Sequence, residues 1–84
     1  MTTPIRTTGQ LGPVLRSLRK ARGWSQAELG RRVGLSQERI SAIESRPEKV
    51  NLDTLMTLAM ALDAELSIGA RAQPATAPEA GEQW

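Results

Sequence analysis

The 84-residue chain has no cysteine and no histidine. Without cysteine there are no disulfides and no thiolate chemistry, which fits a reducing compartment. Without histidine, a Ser-His-Asp arrangement and a His-ligated metal centre are both excluded. An enzyme would have to work with Ser, Lys and carboxylates, and no constellation places a base beside a nucleophile. No catalytic activity, metal or other cofactor is therefore expected. No apolar run approaches the ~20 residues that a membrane helix needs. The opening stretch Met1–Gly9 lacks the apolar core of a secretory leader, so a cytoplasmic protein is expected. The length suits one small domain, at a size where the core is marginal and oligomerisation often supplies the rest.

Charge is present but unevenly placed. Net charge is only +2. Through Arg46, nine Lys/Arg stand against Glu28, Glu38 and Glu44, giving +6; from Pro47 onward, Lys49 and Arg71 stand against six acids, giving −4. A basic front half is the electrostatic footprint of a nucleic-acid binder when it also carries a reading element.

That element lies at Ser25–Glu44. Ser25 can cap a helix, and Glu28 three residues later completes a capping box. Leu29 and Val33 fall four apart on one face. Gly34 stands where the helix must stop and reverse, and Leu35 packs into the turn. Ser36 can cap a second helix whose Ile40 and Ile43 face back to the first. Gly30 sits mid-helix at a cost of ~1 kcal/mol relative to Ala, which makes sense if the second helix crosses close by. Two helices, a short Gly-containing turn and a small residue at the crossing make a helix-turn-helix. Gln26, Leu29, Gly30, Gly34, Leu35, Ser36, Ile40, Ser41, Ile43 and Glu44 together resemble the signature of the phage-repressor-like helix-turn-helix proteins.

Around this motif the chain reads as follows. Residues 1–9 form a Thr-rich flexible arm with one apolar residue, Ile5. Leu11, Val14, Leu15 and Leu18 make an amphipathic first helix. Pro13 fits its first turn, placing the start near Gly12; a start at Thr8 would cost a backbone hydrogen bond at Pro13, and Gly23 ends the helix. Trp24 then occupies the hydrophobic-staple position before Ser25. The second helix spans about 26–33 and the third about 37–45. Arg46–Lys49 is a loop, and Asn51 caps a fourth helix running to about Leu62.

On the fourth helix the residues Leu52, Leu55, Met56, Leu58, Ala59, Met60 and Leu62 cover an arc of about 200°, where one core needs only ~100°. The excess points to a second copy of the chain. Beyond it, Ala64, Leu66 and Ile68 alternate with polar residues and read as one short strand. A lone strand needs a partner. Pairing with its own copy across a two-fold axis is preferred over pairing with the Ile5 arm. Leu58, Met60, Leu62, Leu66 and Ile68 are the expected dimer interface. Residues 70–84 are Ala-, Pro- and acid-containing, a disordered tail ending on Trp84. The expectation is thus a mostly α, four-helix domain over 10–69, with a short C-terminal β-strand pairing across a homodimer.

Most phage-repressor-like domains have a fifth helix where this chain offers a strand. The strand, the tail and the terminal Trp resemble the HipB antitoxins. That resemblance implies a homodimer with an intermolecular two-stranded sheet, repression of its own operon, and binding to a HipA-like serine/threonine kinase toxin, with Trp84 as the docking anchor. It also implies a buried structural salt bridge between Arg19 and Glu44. A stand-alone regulator with no toxin partner is the alternative within the same class.

In such a protein the N-terminal residues of the third helix meet base edges in the major groove of a palindromic double-stranded DNA operator. Ser36, Gln37, Glu38 and Ser41 are the expected base readers. Gln37 can pair bidentately with adenine, and Glu38 can accept from a cytosine amino group or simply favour the helix N-terminus. Ser25, Gln26, Arg39 and Arg46 are the expected phosphate contacts.

Overall fold

A computed structural model describes residues 3–71. Four helices make up this part of the chain: α1 (Leu11–Ala21), α2 (Gln26–Val33), α3 (Gln37–Ser45) and α4 (Leu52–Ala61). Short 3-10 turns precede α1 at Thr8–Gln10 and join α3 to α4 at Pro47–Lys49.

Local side chains start the helices. Ser25 Oγ accepts from the Glu28 N–H at 3.0 Å, Ser36 Oγ from Arg39 at 3.0 Å, and Asn51 Oδ1 from Thr54 at 2.8 Å. Each bond satisfies one N–H that the helix leaves open, for about 1 kcal/mol. The box expected at Ser25 is only half formed. The Glu28 carboxylate turns instead to Arg31 and to Arg32, the latter at 2.8 Å. Two guanidinium groups offer it charge-assisted bonds, which outweigh one backbone N–H. The Arg31 hydrogen bond holds the Glu28 carboxyl below the usual carboxylate range. α1 enters at Leu11, beside the expected start at Gly12, and the 3-10 turn ahead of it begins at Thr8, the earlier start that the sequence also allowed. Gln10 Oε1 accepts from the backbone N–H groups of Arg6 and Thr7, at 2.6 and 2.9 Å, and the helical path begins ahead of Pro13.

Gly23 and Gly34 end α1 and α2 in the left-handed region, with φ of 74° and 77°. No glycine serves α4. Asp63 takes that conformation with φ 57°, while its N–H bonds to Met60 O and the Ala64 N–H to Ala59 O. These two bonds close the helix as a Schellman motif.

Leu15, Leu29, Ile40, Ile43, Leu58 and Leu62 form the buried core, with Leu11, Leu18, Trp24, Leu35, Val50 and Leu55 packed around it. Trp24 does the packing its staple position predicts. Its ring is also flanked by the guanidinium groups of Arg32 and Arg22, 4.1 and 5.4 Å from the centroid.

The apolar arc of α4 divides in two. Leu58 and Leu62 are buried in the chain's own core, which corrects their assignment to a dimer interface. Leu52, Met56 and Met60, four apart on the other side, are 64%, 46% and 76% exposed. Leu66 and Ile68 are exposed as well. Among the described residues there is no strand, and residues 64–71 have no regular secondary structure. The reason is physical: a lone strand finds no ladder within one copy, and the Ile5 arm does not supply one. Trp84 and residues 72–84 lie outside the described residues.

Candidate nucleic-acid interface

α3 buries Ile40, Ile43 and Glu44 and turns Gln37, Glu38, Ser41, Ala42 and Ser45 outward. It is held at that angle by two close crossings. A Cβ on Gly30 would fall within 3 Å of the Leu35 carbonyl oxygen, and one on Gly12 within 3 Å of the Glu44 carbonyl oxygen. Helices α1 and α2 thus both abut the backbone of the reading element where they carry no side chain. The Gly30 contact matches the sequence expectation. Gly12 was not anticipated, since a glycine in a helix's first turn has no signature of its own.

Glu44 anchors the assembly from below. It is 3% exposed and faces Arg19, which is 7% exposed. Arg19 Nε donates to Glu44 Oε2 at 2.7 Å and Nη2 to Oε1 at 3.0 Å, the two parallel bonds of a bidentate pair. Arg19 Nη1 donates to the Trp24 carbonyl at 2.9 Å. Gln26 Nε2 donates to Glu44 Oε1 at 3.1 Å, and Arg16 Nε lies 3.5 Å from the same oxygen. Burial pushes the Glu44 carboxyl up; the hydrogen bonds from Arg19 and Gln26 and the nearby charges of Arg19 and Arg16 outweigh it, leaving the carboxyl below its usual range. The bond to Glu44 raises the Arg19 guanidinium above its usual range.

The network reaches the surface through Gln26. Its Oε1 accepts from Gln37 Nε2 at 3.2 Å. One N–H of Gln37 is thereby used, and its Oε1 and second N–H remain. That acceptor and donor are the pair needed to meet the N6 and N7 edge of adenine. Gln26 was expected at the DNA backbone; the structure makes it the link between the buried carboxylate and Gln37. Sequence spacing gave no signal for this, because the link leaves α3 at Glu44, passes through α2 and returns to α3 at Gln37.

The other expected contacts sit at the surface. Ser25 and Ser36 each accept through Oγ as caps, which leaves each hydroxyl proton free to donate outward. Glu38, Arg39 and Arg46 are exposed, and Ser41 is half-buried beside them. Lys49, not singled out from sequence, shares a cleft with Arg39 and Arg46. Among the described residues no group of acids, His or Cys could hold a metal ion, and no helix is long and apolar enough to cross a membrane.

Residues 15–68 match a family model described as Helix-turn-helix. Antitoxin HipB of Escherichia coli O6:H1 is 34% identical over 74 residues, covering 88% of this chain and 77% of that protein. The chain belongs to the HipB-type helix-turn-helix antitoxins. A second HipB, from Escherichia coli (strain K12), is 26% identical over 77 residues, covering 89% of this chain and 88% of its own length. Among solved structures, the HipB-O4 20mer complex is similar with a TM-score of 0.77 at 25% identity, covering 84% of this chain and all of that one. The HipA-HipB-O2-O3 complex matches with the same TM-score, identity and coverage. The HipB-type fold therefore spans essentially the whole of the described helical domain.

Proposed function

We propose that the chain is a sequence-specific DNA-binding repressor that serves as the antitoxin of a HipA-like serine/threonine kinase and represses its own operon. The observation that carries this reading is the outward face of α3. It presents Gln37, oriented by Gln26, with Ser36, Glu38 and Ser41 beside it, on a helix that the fold holds rigidly. Helix N-terminal residues of this kind meet base edges in the major groove. Ser25, Arg39 and Arg46 meet phosphates, and Gln26 retains one N–H to do so. The solved HipA-HipB-O2-O3 complex supports the kinase partner. In this reading residues 10–69 are the DNA-binding and dimerisation domain, 1–9 an arm, and 70–84 a tail through which Trp84 docks on the kinase. Nothing in the reading asks the chain to do catalysis.

Gln37→Ala is expected to cost roughly 1–3 kcal/mol on the operator and to relax preference at one base position. Gln26→Ala should blur the same position, because Gln37 loses its tether. Arg46→Ala should weaken all sequences alike and lower the salt slope. Binding-site selection on the variants checks this; an unchanged base preference in Gln37→Ala overturns the assignment.

The exposed stripe Leu52–Met56–Met60, continued by Leu66 and Ile68, supports a homodimer through a second copy's matching stripe and a two-stranded sheet from residues 64–68. Paired recognition helices then meet palindromic half-sites about 34 Å apart, or a multiple of that. Sedimentation should show a dimer at micromolar concentration and Met60→Lys should shift it toward monomer; a wild-type monomer rules the arrangement out. The alternative, a stand-alone regulator, predicts no co-purification with the product of a neighbouring kinase gene.

A further inference from the structure

We propose that the cleft between the second half of α3 and the Pro47–Lys49 turn holds one phosphate of the DNA backbone, with Lys49 as the cation of its far wall. This rests on the DNA-binding reading above. The cleft has a volume of about 380 Å³ and is lined by Arg39, Ala42, Ile43, Arg46, Lys49 and Val50.

Three of its six lining residues are cations, and no carboxylate lines it. The positive charge there is also uncompensated. Arg16, Arg19, Arg22, Arg31 and Arg32 each face an acid: Glu44, Asp63 or Glu28. Among the described residues, Arg39, Arg46 and Lys49 face none; neither do Arg6, Lys20 and Arg71, but these do not line the cleft. Like charges gathered without a counterion are unfavourable unless an external anion completes the set.

Chain geometry brings them together. Arg39 and Arg46 are seven residues apart, two turns along one flank of α3. At Arg46 the backbone leaves the helix, with φ −135° and ψ 68°. Pro47 then starts the 3-10 turn, and the Lys49 N–H bonds back to the Arg46 carbonyl at 3.1 Å. Lys49 is thus returned to the flank that Arg39 and Arg46 occupy. Ala42, Ile43 and Val50 give the cleft an apolar floor, which strengthens an ion pair formed above it by excluding water.

The position suits a backbone phosphate. A helix of ~10–12 Å diameter fills a major groove ~12 Å wide, so its flanks meet the phosphate rows on either side. With Gln37, Glu38 and Ser41 turned to the bases, Arg39 and Arg46 lie on such a flank. Two guanidinium forks and one ammonium match the oxygens of one phosphate. The contact carries no sequence information and should be equal on every duplex.

The test is Lys49→Gln in the full chain, with binding to a 30-base-pair duplex of arbitrary sequence followed by anisotropy from 50 to 200 mM salt. Neutralising one phosphate contributes about 0.9 to the salt slope, and the dimer carries two copies of the cleft, so the variant should bind about sixtyfold more weakly at 0.1 M salt, with a slope shallower by about 1.8. Lys49→Arg should bind as wild type does. Arg71→Gln removes an equal charge outside the cleft and should change affinity less than twofold. Lys49→Gln with wild-type affinity, against a steep wild-type slope, overturns the cleft assignment and leaves DNA binding standing. A wild-type chain with no salt-dependent binding overturns the DNA reading itself. Unchanged DNA binding with loss of a co-purifying protein would give the cleft to an acidic protein surface and end the proposal.

Discussion

Replacing Glu44 by alanine is expected to cost about 3–5 kcal/mol of folding stability. The residue lies under the reading helix at 3% exposure, and it is the acceptor for Arg19 and Gln26 together. Its removal leaves the Arg19 guanidinium buried with only the Trp24 carbonyl to satisfy it. A buried charge stripped of its partner is the costly event; the pair as a whole contributes far less, because desolvation cancels much of the Coulomb attraction. The double variant Arg19→Met with Glu44→Leu should therefore recover most of the loss. For a small domain holding ~5–15 kcal/mol in all, the single variant is close to unfolding. Denaturant melts decide it, and a loss below ~1 kcal/mol would give the pair no more than a surface bridge's value.

The same pair sets the pH response. The folded Glu44 carboxyl is below its usual range, so its contribution is complete above the unfolded carboxylate range and is lost as pH falls through the folded value. Arg19 is raised, so its share is complete below the unfolded arginine value and is lost only as strong alkali passes the folded one. With no histidine and no cysteine in the chain, no side chain titrates ordinarily between about pH 5 and 8. Melting should be flat around neutrality, fall in acid, and lose most of this acid component in the double variant.

Much of the fold was legible because the signals are local. Ser25, Ser36 and Asn51 cap within three residues, and Gly23 and Gly34 meet a requirement for positive φ at one position. What escaped the sequence depends on competition or on distance. Glu28 had a backbone N–H to reach, and Arg31 and Arg32 took it instead. The wide arc of α4 showed how much of the helix is apolar but not which half the chain keeps for itself, so Leu58 and Leu62 fell on the wrong side. At the candidate site, the exposed place of Gln37 at the start of α3 was legible. The Gln26 tether was not, because it depends on where Glu44 stands in space. Lys49 was missed for a like reason: the turn at Pro47 returns it to a flank that the linear sequence leaves behind.

Replacing Gly30 by leucine should be the other severe change, at about 3 kcal/mol or more. Even a single Cβ there would fall within 3 Å of the Leu35 carbonyl oxygen and close to the carbonyl carbon and the Ser36 oxygen. These are backbone atoms of the turn that sets α3 against α2, so they cannot rotate aside as a side chain would. The Leu35 N–H also bonds to the Gly30 carbonyl at 2.8 Å, which ties the two segments at this very point. An alanine gains ~1 kcal/mol of helix propensity against its clash, so Gly30→Ala should lose less than Gly30→Leu. The leucine adds three further carbons with no cavity to receive them, and it must drive the turn outward. That movement tilts α3, separates Gln37 from Gln26, and should weaken operator binding beyond what the folded fraction explains. Denaturant midpoints and operator affinity, measured together on both variants, check the account. A Gly30→Leu chain as stable as wild type would mean that the helices do not cross as closely as the structure places them.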